Sequence, residues 1–299
     1  MPIYYPDILH EFTPALDFAY SEKDVMLYAL GIGLGSDPMD ERELRFVTEP
    51  ALQVFPTAVT VLSIPPGFTT MPAMIPDGMR LSSFDRVKVL HGEQKVELHR
   101  RLPTSGNFTV DARTVEAVDK GADKGAIVIV ERLLRDAEGH IVATVTSTIF
   151  ARGDGGFGGS SSSNAPIHPI PDRPPNFTVD LSTRRDQALL YRLSGDYNPI
   201  HSDPLTAAKA GFPRPILHGL CTYGLTCRAV VQATGCDVED VVSHQVRFSS
   251  PVFPGETITV EIWRDGDVVS FEASVKERQV KVIRNGKTVL RPAAQRSEI

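Results

Sequence analysis

The chain has 299 residues, with 31 Lys+Arg against 37 Asp+Glu, a formal net charge of −6, and 41% hydrophobic and 23% charged residues. This is ordinary globular composition, which excludes global disorder and collagen-like or coiled-coil architectures, and the length suggests about two domains. The mildly acidic balance argues against a large nucleic-acid footprint, although a few local cations could still hold a polyanionic small ligand.

The start, Met1 to Asp7, lacks the basic residues and apolar core of a signal peptide. No run of about 18 apolar residues offers a membrane span. In the first half, Ser21-Glu22-Lys23-Asp24 has the form of a capping box, and Val25 to Leu30 reads as helix before Gly31. The stretch Pro65 to Met79 is too rich in Pro and Gly for a helix. Its methionines, Met71, Met74 and Met79, fit either a soft wall for an apolar ligand or an ordinary hydrophobic loop. Strand patterns follow at Lys95–Arg100, Phe108–Val118, Ala126–Leu134 and Ile141–Phe150.

Arg152 to Pro175 holds five Gly, five Pro and four Ser in 24 positions. Its Gly/Ser run has too little apolar surface to hold a fixed element, and its Pro-rich end, Pro166 to Pro175, is expected to be extended. The chain therefore divides into residues 1–151, a linker 152–175, and 176–299. The second part repeats the first. Thr183-Arg184-Arg185-Asp186 echoes the capping box, and Gln187–Leu193 reads as helix ended by Ser194-Gly195. Strands read at His244–Ser249, Thr257–Arg264, Val268–Lys276 and Gln279–Ile283, with Asn285-Gly286 as a further turn. One difference stands out. Leu220–Ala233 is a long apolar segment suited to a helix wrapped by a curved sheet, and the first part has no counterpart.

The residues able to do chemistry cluster in Gly195-Asp196-Tyr197-Asn198-Pro199-Ile200-His201. Gly195 ends one helix, Pro199 bars Asn198 from helical geometry, and Ser202 or Asp203 caps a helix that has Pro204 first and Gly211 beyond its end. Asp196 and His201 thus share one constrained loop, where a carboxylate and an imidazole can converge on a single water. His218-Gly219 follows at the start of the apolar helix. The N–H of Gly219 there points outward with the positive end of the helix dipole and suits a carbonyl oxygen gaining charge. His10, His99, His140, His168 and His244 have no partner pattern and read as structural or solvated. Cys221, Cys227 and Cys236 are odd in number with no C-x-x-C pair, so buried thiols are expected rather than a disulfide framework or zinc knuckle.

Tyr191-x-Leu-Ser-Gly-Asp196-x-Asn-Pro-Ile-His201, with Ala207 beyond, resembles the signature of the MaoC-like R-specific (type-two) enoyl-CoA hydratases. His91-Gly92-Glu93-Gln94, Asp119-Lys120-Gly121, the run Gly155–Gly159 and Val246-Arg247-Phe248 through Pro254-Gly255 resemble further landmarks of that family. The resemblance implies an α+β double hotdog: two curved antiparallel sheets, with the central helix kept in the C-terminal unit and reduced in the N-terminal one to admit bulky acyl chains. It implies reversible syn hydration of trans-2-enoyl-CoA to (3R)-3-hydroxyacyl-CoA, a hydro-lyase reaction of fatty-acid β-oxidation. It implies Asp196 and His201 as the acid–base pair, Asn198 as holder of loop and water, and Gly219 as oxyanion donor. His91, Gly92, Lys120 and Phe248 then line the CoA and acyl site with the loop residues Tyr197, Pro199 and Ile200. Lys124 repeats the Asp-Lys-Gly pattern of Lys120. No metal or redox cofactor is called for, CoA being part of the substrate. Alternatives on the same fold are a dehydratase of acyl-carrier-protein or branched dicarboxylic thioesters, a thioesterase, or a non-catalytic acyl-thioester binding module. The chain ends in Arg296-Ser297-Glu298-Ile299, which is not a peroxisomal address, so a cytoplasmic protein is expected. Pairing of the two halves within one chain leaves room for a homodimer.

Overall fold

A computed structural model describes residues 3–84, 88–162 and 167–292. Ten strands form one antiparallel sheet: β1 (Phe12–Tyr20), β2 (Val89–Leu98), β3 (Gly106–Asp119), β4 (Ala126–Arg135), β5 (Ile141–Ala151), β6 (Phe177–Ser182), β7 (Val241–Phe248), β8 (Thr257–Asp265), β9 (Val268–Val275) and β10 (Val280–Leu290). Their spatial order is β1-β3-β4-β5-β2-β7-β10-β9-β8-β6. Each half follows the same internal order, and the halves join where β2 pairs with β7, Glu93 opposite Arg247 and Glu97 opposite Ser243. The duplication seen in the sequence is thus a duplication of topology, a double hotdog.

The helices are α1 (Glu22–Gly31), α2 (Glu41–Leu44), α3 (Val59–Leu62), α4 (Gln187–Tyr191), α5 (Pro204–Lys209) and α6 (Gly219–Thr234). The capping box at Ser21 forms, Asp24 answering the Ser21 N–H. Its expected echo does not. Thr183 instead donates to the Glu256 carbonyl and accepts from the Gly255 N–H, which anchors the chain entering α4 to β8. The two helix entries still meet, Tyr28 of α1 packing edge-on against Tyr191 of α4 at 6.0 Å.

In α6 the side chains from Cys221 to Cys227 are all buried. A helix apolar on most sides needs cover on most sides. The second half's sheet supplies it, together with α1 and the 3₁₀ turn Pro56–Ala58. Tyr223 donates to the His244 carbonyl on β7 at 2.7 Å. His244, wholly buried, is hydrogen-bonded through its two ring nitrogens to Thr288 and Thr226. The first half does have a counterpart to α6, unseen in the sequence. Pro56–Ala58 and α3 form one short buried piece, Thr57 accepting from Tyr28 at 2.8 Å. Its run Val-Thr-Val-Leu is β-branched and too short for a helical period to declare itself.

Two expectations are corrected. Asn285-Gly286 is no turn but lies inside β10, where Asn285 takes a positive φ of 54° and the register shifts on both sides. Gly286 passes against the Phe271 ring where a Cβ would not fit, so the pair marks a bulge. The Gly-rich run is also held in place. Asp119 Oδ1 accepts from Gly121 N–H at 2.8 Å and Gly156 N–H at 2.7 Å, and Oδ2 from Gly158 N–H at 2.7 Å. The glycines lack apolar side chains, but a carboxylate and close backbone contact replace them. Ser160 then bridges to Val118. Ser163 to Pro166 lie outside the described residues. Beyond them the chain has no helix or strand until β6, and Trp263 ties it down by donating to the Arg173 carbonyl at 2.6 Å. The three cysteines are free and buried. Among the described residues no helix is long and apolar enough to cross a membrane.

Two outcomes follow from this packing. A Cβ on Gly224 would lie 2.6 Å from Ile32 Cγ2 and 2.7 Å from the Tyr28 hydroxyl. Gly224→Ala will therefore lower stability by about 1–3 kcal/mol in chemical denaturation, despite the better helix propensity of alanine. Burial pushes His244 down from 6.5 to about 3. The unfolded chain binds that proton as pH falls through about 6.5 and the folded chain does not. The contribution is complete above that pH and is lost toward 3, at about 1.4 kcal/mol per pH unit. His244→Gln will flatten this acid slope in urea titrations run across that range.

Candidate active site

The loop between α4 and α5 is shaped by its own residues. A 3₁₀ turn, Arg192–Ser194, ends at Gly195, which has a φ of 120° that a side chain would disfavour. Asp196 Oδ1 accepts from the Asn198 N–H at 3.1 Å, and Asn198 Oδ1 accepts from the Ile200 N–H at 3.1 Å, capping the turn Pro199–His201. Asp203, rather than Ser202, caps α5 through the Leu205 and Thr206 N–H groups. Each short polar side chain satisfies a backbone donor two or three residues on, which holds the loop without any core of its own.

This folding brings Asp196 Oδ2 to 3.9 Å from His201 Nε2. The separation is too long for a direct hydrogen bond and suits one water touching both. His201 Nδ1–H donates to the Ile216 carbonyl at 2.8 Å, so Nε2 is the lone-pair nitrogen and faces the carboxylate. Burial holds the imidazole below its usual value of 6.5, against the raising influence of the Ile216 carbonyl and Asp196. His201 is buried, whereas the Asp196 side chain is 49% exposed, so the pair joins interior to solvent.

His218 completes the arrangement, a part the sequence did not mark beyond its place beside Gly219. Its ring stacks on His201 at 3.7 Å and 25°, and its Nε2–H donates to the Asp196 backbone carbonyl at 3.1 Å. Burial first, then the neighbouring His201, pushes it down to about 4. The ligand-type atoms of Asp196, His201 and His218 lie within 4.8 Å of one another. Ring lone pairs lie in the ring plane, however, and two stacked imidazoles cannot aim theirs at one ion.

Gly219 opens α6, so its N–H has no carbonyl within its own helix. A Cβ there would rest in ordinary contact with the Phe248 ring, 3.4 Å away, which puts this helix start beside Phe248. The Phe248 ring lies 5.0 Å from that of His91. Burial, followed by the charge of Arg132, pushes His91 down to about 4. Phe248 also lines a cavity of about 600 Å³ together with Gly92, Lys120, Lys124 and Arg247. Lys120 and Lys124 thus share one cavity. Asp119 holds the Gly-rich run across its rim; burial opposes ionisation of that carboxylate, and the N–H groups of Gly156, Gly121 and Gly158 outweigh it and keep the carboxyl low.

Not every expected residue gathers here. Tyr197 is 57% exposed, with the Arg192 guanidinium 4.9 Å over its ring. Asn198 and Pro199 are exposed and shape the loop, and Ile200 is half-buried. Met71 packs on the smaller core cluster beside Ile8 and Ala112, while Met74 is exposed and bridges to Phe12.

Two family models match, the MaoC-like domain over residues 166–286 and the MFE-2 hydratase 2 N-terminal domain over residues 18–153. The chain is 42% identical over 267 residues to "Enoyl-CoA hydratase ChsH3" of Mycobacterium tuberculosis, covering 89% of this chain and 91% of that one. It is 39% identical over 289 residues to "Enoyl-CoA hydratase 2, peroxisomal" of Arabidopsis thaliana, covering 90% of each. Its fold matches the crystal structure of a MaoC-like dehydratase from Phytophthora capsici with a TM-score of 0.86 at 35% identity, covering 98% of this chain and 99% of that one. Both halves on either side of the β2–β7 seam therefore have their counterparts in known proteins, and the chain belongs to the MaoC-like hydratase 2 family.

Proposed function

We propose that the chain adds water reversibly to trans-2-enoyl-CoA, giving (3R)-3-hydroxyacyl-CoA, and that Asp196 and His201 perform the proton transfers. The observation that carries this reading is the pair itself, with Asp196 Oδ2 and His201 Nε2 3.9 Å apart and His218 buttressing both residues. A water held between the two acceptors loses a proton to the pair as its oxygen bonds to Cβ of the enoyl group. The electrons of the double bond move onto the thioester oxygen, where the Gly219 N–H and the positive end of α6 stabilise them. The pair returns one proton to Cα on the same face, so one water is consumed and no net proton is released. A neutral His201 is needed to accept, and its burial supports that state.

The CoA carrier is supported by Lys120 and Lys124 on the 600 Å³ cavity, cations suited to the phosphates of the nucleotide end, whereas Arg247 on the same cavity is already paired with Glu93 at 2.6 Å. His91, Gly92 and Phe248 lead from there toward Gly219. An acyl carrier protein would bring one phosphodiester and leave most of that set unused. The short piece Pro56–Leu62, standing where the second half has the 16-residue α6, supports medium, long or bulky acyl chains. On this reading the chain works in the cytoplasm without metal or redox cofactor.

Asp196→Asn and His201→Gln will each keep the fold by circular dichroism and lose hydration of a trans-2-enoyl-CoA, followed by enone absorbance, by about two orders of magnitude or more. Wild-type activity in either variant, or free thiol appearing in place of hydrated product, would refute the assignment. The double variant Lys120→Met/Lys124→Met will raise KM for the CoA thioester about tenfold or more with kcat little changed, and added salt will weaken the wild type toward the variant. An unchanged KM would remove the nucleotide from this cavity.

A further inference from the structure

The strand order reads the same from either edge of the sheet, β1-β3-β4-β5-β2 meeting β7-β10-β9-β8-β6, so an approximate two-fold axis passes through the β2–β7 seam. Whatever stands at one end of the seam then has a counterpart at the other. At one end Gly92 of β2 and Phe248 of β7 line the 600 Å³ cavity. At the other end a second cavity, of about 450 Å³, is lined by Leu98, the last residue of β2, and Val241, the first of β7. Pro56 lines it too, and Pro56 opens the short helical piece of the first half as Gly219 opens α6. The residues before them, Phe55 and His218, are extended alike, each with a ψ of 135°.

The counterpart lacks the chemistry. Proline has no N–H to offer an oxyanion, and Phe55 stands where His218 braces the loop. The stretch from Ile32 to Phe55 carries no histidine. What this cavity has instead is charge. Arg100, Arg101 and Arg291 border it, with Asp136 and Glu239. Both acids are engaged, Glu239 by Arg101 at 2.8 Å, and Asp136 by the backbone N–H and ring Nδ1 of His140 at 2.8 and 3.3 Å. Among the described residues no ion pair includes Arg100 or Arg291, and Arg291 Nε is buried without a partner. A second orphaned atom belongs to the same lining, Gln53 Oε1, an acceptor. Most of the remaining wall is apolar, including Val54, Pro56, Leu98, Leu102, Val142 and Val241.

We propose that this second cavity binds a nucleoside phosphate, at a site separate from the hydration site and without activity of its own. The phosphate gives Arg291 and Arg100 the ion pair they lack, in the forked geometry guanidinium groups favour. A base with an exocyclic amino group, such as adenine, donates to Gln53 Oε1, and its flat faces suit the apolar wall. A fatty acid would satisfy the arginines but has no donor for Gln53. The same chemistry is offered by a free nucleotide and by the nucleotide end of coenzyme A. The proposal does not depend on the hydratase reading, since none of its residues belongs to the acid–base loop or to the 600 Å³ cavity.

The test counts ADP bound per chain by titration calorimetry on the wild type, on Lys120→Met/Lys124→Met and on Arg291→Met. The wild type will bind two, one in each cavity, and each variant will weaken one of them by about tenfold or more. Arg291→Met will hydrate trans-2-enoyl-CoA with the kcat and KM of the wild type. Arg100→Met, at an exposed residue, will weaken the same ADP as Arg291→Met and decides the matter if that variant does not fold. A wild type that binds no ADP, or a single one that the lysine variant abolishes, overturns the proposal and leaves the hydratase reading intact. Unchanged ADP binding in the arginine variants overturns it, and so does a raised KM for the enoyl-CoA in them, which would make the cavity part of the substrate path. A single ADP lost in the arginine variants and kept in the lysine variant upholds the site and removes the nucleotide from the first cavity. Coenzyme A titrated into the lysine variant separates the two sources: binding tighter than ADP identifies the coenzyme, and weaker binding a free nucleotide.

Discussion

The site depends on one hydrogen bond that touches no substrate. His201 gives its Nδ1–H to the Ile216 carbonyl, and this single contact fixes which nitrogen carries the lone pair and where it points. Without it the ring could rotate or exchange tautomers, and the 3.9 Å separation from Asp196 would no longer lie between two acceptors. The Ile216 carbonyl is available because Arg214-Pro215 holds the chain extended before α6, and Leu217 is anchored by donating its N–H to the Val252 carbonyl. The connection between β7 and β8 that carries Val252 is thus tied to the tautomer of a histidine on another loop. His218, the residue just before the helix, adds the second restraint through the Asp196 carbonyl. The geometry of the pair is imposed by backbone groups, which have few rotatable bonds to lose.

Much of this was legible in the sequence because the local chemistry is self-contained. Asp196, Asn198 and Asp203 each cap or brace a donor two or three residues away, so residue type and spacing are enough to define the turns. The apolar run that becomes α6 and the alternation in β8 and β9 are likewise local. What stayed hidden is what long-range contacts decide. Strands β1 and β6 lie at the sheet edges and carry mixed patterns, β6 being largely exposed. Asn285-Gly286 carries the strongest short turn signal, yet Phe271 on β9 turns it into a bulge. The Gly-rich run looked free because its partner, Asp119, is distant in sequence and contributes a charge rather than an apolar surface. His218 could have been singled out only by knowing that two rings from different elements stack.

The two halves show how one topology serves two tasks. Both use the same strand order, and β2 and β7 meet at the seam. In the second half a 16-residue helix fills the curve of the sheet and its N-terminus, at Gly219, opens beside the Asp196–His201 loop. In the first half the filling is the short piece Pro56–Leu62, and the sheet's inner face keeps polar side chains at Gln94, Ser147, Thr114 and Arg132. A face that only had to pack would be apolar, since each polar group there must find a partner or pay a desolvation penalty.

That contrast bears on how specificity and catalysis are separated. Asp196, His201, Gly219 and their braces all come from the loop and helix of the second half, where hydrogen bonds to backbone groups hold the two side chains and the loop. The inner face of strands β2 to β5 in the first half meets the site through His91 and Phe248 at the seam. A side chain on the inner face of β4 can change without disturbing the bond from His201 to Ile216, because no element connects them except the sheet itself. The two halves thus carry their polar groups independently: the second half's sit on a loop and a helix start, and the first half's, Arg132 among them, on the buried face of a sheet.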